Sequence, residues 1–433
     1  MSVAATPPAW DPDKNRQPTS GPAFVAYYQA GDREFVGSVL DGAVLDKAVL
    51  PGCVLAASHL RNASLKGTDL SQGWLRVCDF NGADLSGASL AGSVLTDALF
   101  TGANLSGTNL SACTLTVVQL TAGTSLLGAN LSDAVLAGLT LAKVNFTSVA
   151  LRGADLSKAV FDDCNLCTAD LSGANLSGAD LRGARNLKLA VFTGANLTQA
   201  NLSGETLDGI AAAGANFSGA LMTSVQLADS DLSGCTFAGA QLENAVLAGS
   251  TLSATDFSGA SLRSTAFDGA TLTDARFNGA ILNGASLMNV DMPGAVFDQA
   301  NLAGAYFKGA DVEGASFAGA ILTGVRDLPL ALNLASARFA GADFTDANLH
   351  SIGMPGCDLT AANFTSAALA SAVLSHATLA RSNFTEADLS SADLSYADLT
   401  GAIFTGAVLR NTNFTGATLT GAVFDPGAAP AAQ

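Results

Sequence analysis

From Phe35 onward, large apolar residues recur at every fifth position, with a small residue two places before each and a polar one between them. The stretch ADLSGANLSGADLRGA, Ala169 to Ala184, shows the pattern without a fault. Five is the period of neither an α-helix nor an ordinary strand. Within Ala174-Asn175-Leu176-Ser177-Gly178, an extended backbone points the alanine and leucine to one side and the asparagine to the other. The serine and glycine then supply turn chemistry, since glycine reaches positive φ without steric cost. Each unit therefore predicts one short inward-facing side and one corner.

Calling the large residue of each unit its centre, centres run in fives from Phe35 to Leu120, Leu126 to Leu181, Leu187 to Leu322 and Leu334 to Phe424. That is about 78 units, a single repeat array over nearly everything after residue 33. The phenylalanines show how many corners close a coil. Phe217, Phe237, Phe257, Phe277, Phe297 and Phe317 recur every twenty residues, as do Phe344, Phe364, Phe384, Phe404 and Phe424. Four units thus make one coil, and residues twenty apart stack in successive layers, where rings lie offset on one another. Successive coils must pair as parallel strands, and the handedness of parallel crossovers predicts a right-handed coil. The expected fold is all-β, a right-handed quadrilateral parallel β-helix of about 19 to 20 coils, roughly 90 Å long at the spacing of paired strands. Its interior is filled, and its outside shows Asp, Asn, Ser, Thr and Arg.

The order small residue, Asp or Asn, Leu or Phe, Ser or Thr, Gly resembles the pentapeptide-repeat family, with ADLSG at Ala83 to Gly87 and Ala169 to Gly173 and ANLSG at Ala103 to Gly107 and Ala174 to Gly178. The lead-in Tyr28-x-x-Gly31-x-Arg33-x-Phe35 is similar to the start of many cyanobacterial and plastid-type members. The resemblance implies the fold strongly and the function weakly, because members do many different things.

The ends and slips interrupt the regularity. Residues 1 to 21 are proline-rich and polar and read as a mobile tail, 22 to 32 as a short capping segment ended by Gly31, 33 to 425 as one repeat β-helix, and 426 to 433 as a second tail. The slips near 123, 184 and 325 to 331 add one residue at a time, enough for a bulge at a corner. They read as tolerated wear, or, for the doubled slip with Pro329, as a bend or docking point. An open β-helix end exposes unpaired strand edges. Ile403, Val408 and Val423 stand at outward positions near Phe424, which predicts that this end is covered by a second copy or by a partner.

Composition adds exclusions. The chain is 49% hydrophobic, yet no apolar run approaches the roughly 18 to 20 residues of a membrane span. The N-terminus lacks the basic start and apolar core of a secretory signal, so a cytoplasmic protein is expected. Of the 7 cysteines, Cys53, Cys78, Cys113, Cys164, Cys235 and Cys357 occupy the small inward position and only Cys167 an outward one. The Cys164 and Cys167 pair therefore reads as an accident of the repeat rather than a redox or metal motif. His59, His350 and His376 are scattered, so neither a catalytic triad nor a metal set can be assembled from them. No catalytic residue, cofactor, metal site or small-molecule substrate is expected.

The formal charge of -17 raises one further possibility. The resemblance extends to members that imitate B-form DNA and occupy the DNA site of type II topoisomerases, through an acidic rod that dimerises at its C-terminus. Residues 1 to 199 carry 16 acidic and 13 basic side chains, and residues 200 to 433 carry 21 and 7. The second part then bears about one net charge per 4 Å, against about one per 1.7 Å for DNA. Its acids divide evenly among the four sides, with no acidic stripe. Direct nucleic-acid binding is not expected, because the phosphate backbone would meet net repulsion. The one basic cluster, Arg182, Arg185 and Lys188, reads as a solvated corner. The column Thr345, Thr365, Thr385 and Thr405 reads as a hydrogen-bonded ladder rather than an ice-binding array.

The sequence thus points to a non-enzymatic scaffold or protein-interaction solenoid whose partner it does not name, with a DNA-mimicking regulator of a type II topoisomerase such as gyrase as the alternative. The expected partner surface comprises outward departures from the repeat, Trp74, Arg76, Tyr306, Lys308 and Tyr396, since aromatics and arginine are enriched at interface centres. Ile403, Val408, Val423 and Phe424 mark the expected dimer end.

Overall fold

The computed structural model describes residues 17–427. The mobile tail expected over residues 1 to 21 falls mostly outside them, as does most of the one expected after 425. The chain divides into two compact units, Met1–Asn201 with Ile210–Ala215, and Leu202–Gly209 with Asn216–Gln433. Each is a right-handed quadrilateral parallel β-helix. Among the described residues no helix is long and apolar enough to cross a membrane.

Three sets of hydrogen bonds explain the repeat. The first joins coils: Leu60 N–H donates to Asp79 O at 2.8 Å, and Asp79 N–H to Ser58 O at 3.0 Å. This alternation gives parallel bridges such as His59↔Asp79. The second closes each corner, as Ala63 N–H reaches back to Leu60 O at 3.2 Å with Asn62 at φ 56°. This left-handed requirement is why the corner prefers glycine and next tolerates Asn and Asp. The third explains the Asp or Asn of the motif: its carboxylate or amide oxygen accepts the N–H two residues on, as from Ser86 to Asp84 Oδ1 at 3.1 Å, an Asx cap. Asparagines also donate to the equivalent residue one coil back, as Asn175 Nδ2 does to Asp155 Oδ1 at 3.0 Å.

Buried Ser, Thr and Cys at the small inward position obey a related rule. Cys78 Sγ donates to Leu55 O at 2.9 Å, Ser93 Oγ to Leu70 O at 2.9 Å and Thr265 Oγ1 to Leu242 O at 2.8 Å. A centre's carbonyl, already accepting the corner N–H, thus uses its second lone pair. Alanine can therefore be replaced by a small donor without leaving an unpaired polar atom in the core. Burial pushes the thiols up, Cys53, Cys113 and Cys357 to about 12 and Cys164 to about 11, because a thiolate would lose its hydration there.

In the first unit, α1 (Gly21–Gln29) covers the start of the coil. Its N-cap Ser20 accepts from Ala23 N at 3.3 Å. Phe24 is fully buried against Phe35, edge to face at 4.5 Å. Tyr28 donates its hydroxyl to Pro51 O at 2.6 Å and lies under the Arg33 guanidinium. Gly21 permits this docking, since a Cβ there would stand 2.4 Å from Val44 O. Where two outer residues pair over three positions, the side lengthens into β1 (Thr140–Ala142) and β2 (Val160–Asp162), which run parallel. The slip near 123 moves the pairing from Leu99↔Gln119 to Asn104↔Ser125. The slip after Ala184 is a 3-10 turn, Leu187–Leu189, entered through Asn186 at φ 61°. It is thus a turn of helix where a bulge was expected.

In the second unit the doubled slip is likewise two 3-10 turns, Leu328–Leu330 and Leu334–Ser336, entered through Asp327 and Asn333 in the left-handed region. They shift the register to Ser316↔Arg338 and Ile321↔Asp343. The aromatic column from Phe217 to Phe317 therefore continues at Phe339, at 5.0 Å and nearly parallel. The Phe344, Phe364, Phe384, Phe404 and Phe424 column, stacked at 4.8–5.1 Å, stands instead above Leu322 on the adjacent side. Phe339 escapes a reading in twenties because two inserted residues separate it from its partner.

Two outcomes are expected of these features. Val117 is β-branched, exposed and held at φ 60°, so Val117→Gly should stabilise the first unit by about 1 kcal/mol in a denaturant melt. Native protein treated with iodoacetamide near neutral pH should gain one adduct by intact mass, at Cys167, and seven once unfolded, since the other cysteines are buried. Several rapid native adducts would contradict the packed interior.

Candidate protein-interaction surface

With the interior filled by paired small residues and centres, side chains free to meet another molecule lie on the outer positions and corners. Trp74 belongs to the first unit, where its strand pairs with those of Val54 and Val94. The indole is half-buried between two aliphatic residues of one outer column, and Arg76 stands exposed at the corner that follows. In the second unit Tyr306 pairs with Ser286 and Arg326. The Arg326 guanidinium lies 4.9 Å over its ring and donates to its hydroxyl at 2.8 Å. Lys308 is exposed at the next corner. Tyr396 occupies a corner at φ 59°, 59% exposed, with His376 stacked on it at 5.0 Å. Its ring also covers Gly416, where a Cβ would lie 2.6 Å away. Tyr306 and Tyr396 stand in different columns, so the structure does not join them in one patch.

Ile403, Val408 and Val423 are 38%, 44% and 50% exposed. Phe424 packs on Phe404 at 4.8 Å, and Phe414 meets both rings edge on. Leu409, Phe414, Leu419 and Phe424, the centres of the last described coil, are only half-buried, whereas Phe404 is 1% exposed. An apolar ring is open at this end of the second unit.

The charged and polar candidates are largely satisfied within the fold. Arg182 pairs with Asp180 at 2.7 Å and Arg185 with Asp163 at 2.8 Å. The bond from Arg182 holds the Asp180 carboxyl below its usual range. Thr345, Thr365 and Thr385 donate to Asp343, Asn363 and Asn383, and these three are linked along their column through Asn363 and Asn383. Their hydroxyls thus serve the ladder. Among the described residues no three His, Cys, Asp or Glu side chains are placed to hold a metal ion.

A recess that the repeat pattern did not reveal lies at the doubled corner. It holds about 370 Å³ and is lined by Tyr306, Gly324, Val325, Arg326, Asp327, Asp346 and Asn348. Its cause is a break in the ladder. Asp343 N–H still donates to Ala320 O at 2.9 Å, but one side later Asn348 N–H has no partner among the described residues, and Arg326 and Asn348 form no bridge. The 3-10 turn inserted between them supplies the reason, since its extra residue lifts the following side out of register. The two leucines flanking Ala331, Leu330 and Leu332, are each 54% exposed. The signal was present in the sequence: Arg326-Asp327-Leu328-Pro329-Leu330 repeats the form of Arg185-Asn186-Leu187-Lys188-Leu189.

The family model for pentapeptide repeats (8 copies) matches residues 34–72, 78–116, 122–153, 150–185, 186–204 and 206–239, and continues in overlapping matches to 324 and from 357 to 425. No curated protein matches the chain. Among solved structures it is similar to HetL, a pentapeptide repeat protein involved in heterocyst differentiation regulation from the cyanobacterium Nostoc sp. strain PCC 7120, at 26% identity over 53% of this chain and 91% of that one, with a TM-score of 0.18. It is also similar to a pentapeptide repeat protein of the Arabidopsis thaliana thylakoid lumen, at 33% identity over 22% of this chain and 63% of that one, with a TM-score of 0.17. A third is QnrB1, a plasmid-mediated fluoroquinolone resistance protein, at 20% identity over 52% and 89%, with a TM-score of 0.25. On the repeats matched along most of its length, the chain belongs to the pentapeptide-repeat family.

Proposed function

We propose that this protein acts as a non-enzymatic scaffold whose repeat surface is recognised by a protein partner. The observation that carries this reading is the outer column at Trp74. A half-buried indole between Val54 and Val94, with Arg76 exposed beside it, has the aromatic and arginine composition of an interface centre, on a fold that spends its interior on packing. Recognition then depends on departures from the motif rather than on the repeats themselves. In a pull-down from source-cell extract, Trp74→Ala should lose a protein that the parent chain retains. An unchanged set of partners would remove Trp74 from the surface.

The alternative is a DNA-mimicking regulator of a type II topoisomerase, favoured by the net charge concentrated in residues 200 to 433, which hold 21 acidic and 7 basic side chains. A gyrase supercoiling assay separates the two. Inhibition or protection at near-stoichiometric protein favours mimicry, and no effect favours the scaffold.

Either reading is compatible with a homodimer through the open ring of Leu409, Phe414, Leu419 and Phe424, with Ile403 and Val423 at its edge. Burying such a ring against a second copy removes apolar area from water and pairs free strand edges. Light scattering should give a dimer mass that falls to the monomer in Phe424→Asp. A monomer at all concentrations of the parent chain would dismiss self-association.

A further inference from the structure

We infer that the recess at the doubled corner is the docking site for a short segment of a protein partner that carries a guanidinium or ammonium group beside aliphatic side chains. This rests on the scaffold reading and names the chemistry of one partner for it. The recess presents two carboxylates, Asp327 and Asp346, neither of which has a hydrogen-bond or ion-pair partner among the described residues. The cation that lines the recess, Arg326, is turned onto Tyr306, stacked on its ring and bonded to its hydroxyl, and makes no ion pair with either aspartate among the described residues. At the similar corner in the first unit the arginine behaves otherwise. Arg185 reaches Asp163 and neutralises it, so that corner offers no comparable pair of free carboxylates.

Further features favour a peptide over a small ion. Leu330 and Leu332, both exposed, do not line the recess but follow Asp327 along the chain, Leu330 at the end of the same 3-10 turn and Leu332 two residues on, so a segment long enough to continue past that corner meets apolar side chains. The unpartnered N–H of Asn348, on a residue that lines the recess, is a backbone donor left by the broken ladder, of the kind an extended peptide carbonyl satisfies. The surrounding charge, 21 acidic against 7 basic side chains in residues 200 to 433, attracts a basic segment at long range and repels an anionic one. The family repeat matches pass over residues 325–356, the stretch that holds both 3-10 turns.

The test uses the full chain and fluorescein-labelled peptides with a Leu-Arg-Leu centre between Gly-Ser flanks, read by fluorescence anisotropy. Control peptides replace the arginine with glutamate or both leucines with alanine. The Leu-Arg-Leu peptide should bind saturably and both controls at least about tenfold more weakly. Asp327→Asn with Asp346→Asn should weaken binding by a similar factor. Both aspartates sit near φ 57°, where asparagine is equally at home, so the charge is removed without straining the corner. Leu330→Ala with Leu332→Ala should reproduce the loss without altering charge. No saturable binding, or binding unchanged by the two asparagines, overturns the site. A chain that loses its partner on Trp74→Ala yet ignores the peptide refutes this recess and leaves the scaffold reading standing; a chain that does neither removes both.

Discussion

The parallel hydrogen-bond ladder between coils is the constraint from which the rest of the structure follows. It places each residue directly over its equivalent in the preceding coil, so every column must be compatible with itself. Alanine stacks on alanine, leucine on leucine, and phenylalanine rings lie parallel at about 5 Å because the ladder fixes their separation. Even the exceptions inside obey the ladder: Ser93, Thr265 and Cys78 are admitted because each finds a carbonyl of the preceding coil.

The same constraint locates where recognition can arise. On a regular coil the outer Asp and Asn residues spend their oxygens on corner N–H groups and on one another, as in the run Asp343, Asn363, Asn383. Such a surface has little left to offer a partner. Where a 3-10 turn enters, the column loses its register and a backbone donor is released at Asn348, beside the carboxylates of Asp327 and Asp346. A substituted column such as that of Trp74 offers an apolar face without breaking the ladder. These are two different physical routes from the same scaffold to a distinctive surface.

The contrast between the ends of the two units has the same root. A coil end presents unpaired strands and one uncovered ring of centres. In the first unit α1 meets that need, with Phe24 set on Phe35 and Gly21 allowing the helix to approach the coil backbone. In the second unit the ring from Leu409 to Phe424 remains half-buried. Exposed apolar edges of this kind are what β-proteins otherwise cover or blunt.

The coil, its four sides and its inward and outward positions were legible from the amino-acid order, because a period of five joined to a phenylalanine period of twenty admits few geometries. The exposure of Tyr396 and Val408 followed from the same alternation. What the order did not disclose was the continuation of the Phe317 column at Phe339, the 3-10 form of the corners, and the recess between Tyr306 and Asn348. Local pattern determines which way a side chain faces, since that is settled within one unit by an extended backbone and a left-handed corner. Which residues meet across coils is decided only in three dimensions, because an inserted residue changes every pairing after it, and whether the ladder closes or opens there depends on how its backbone turns.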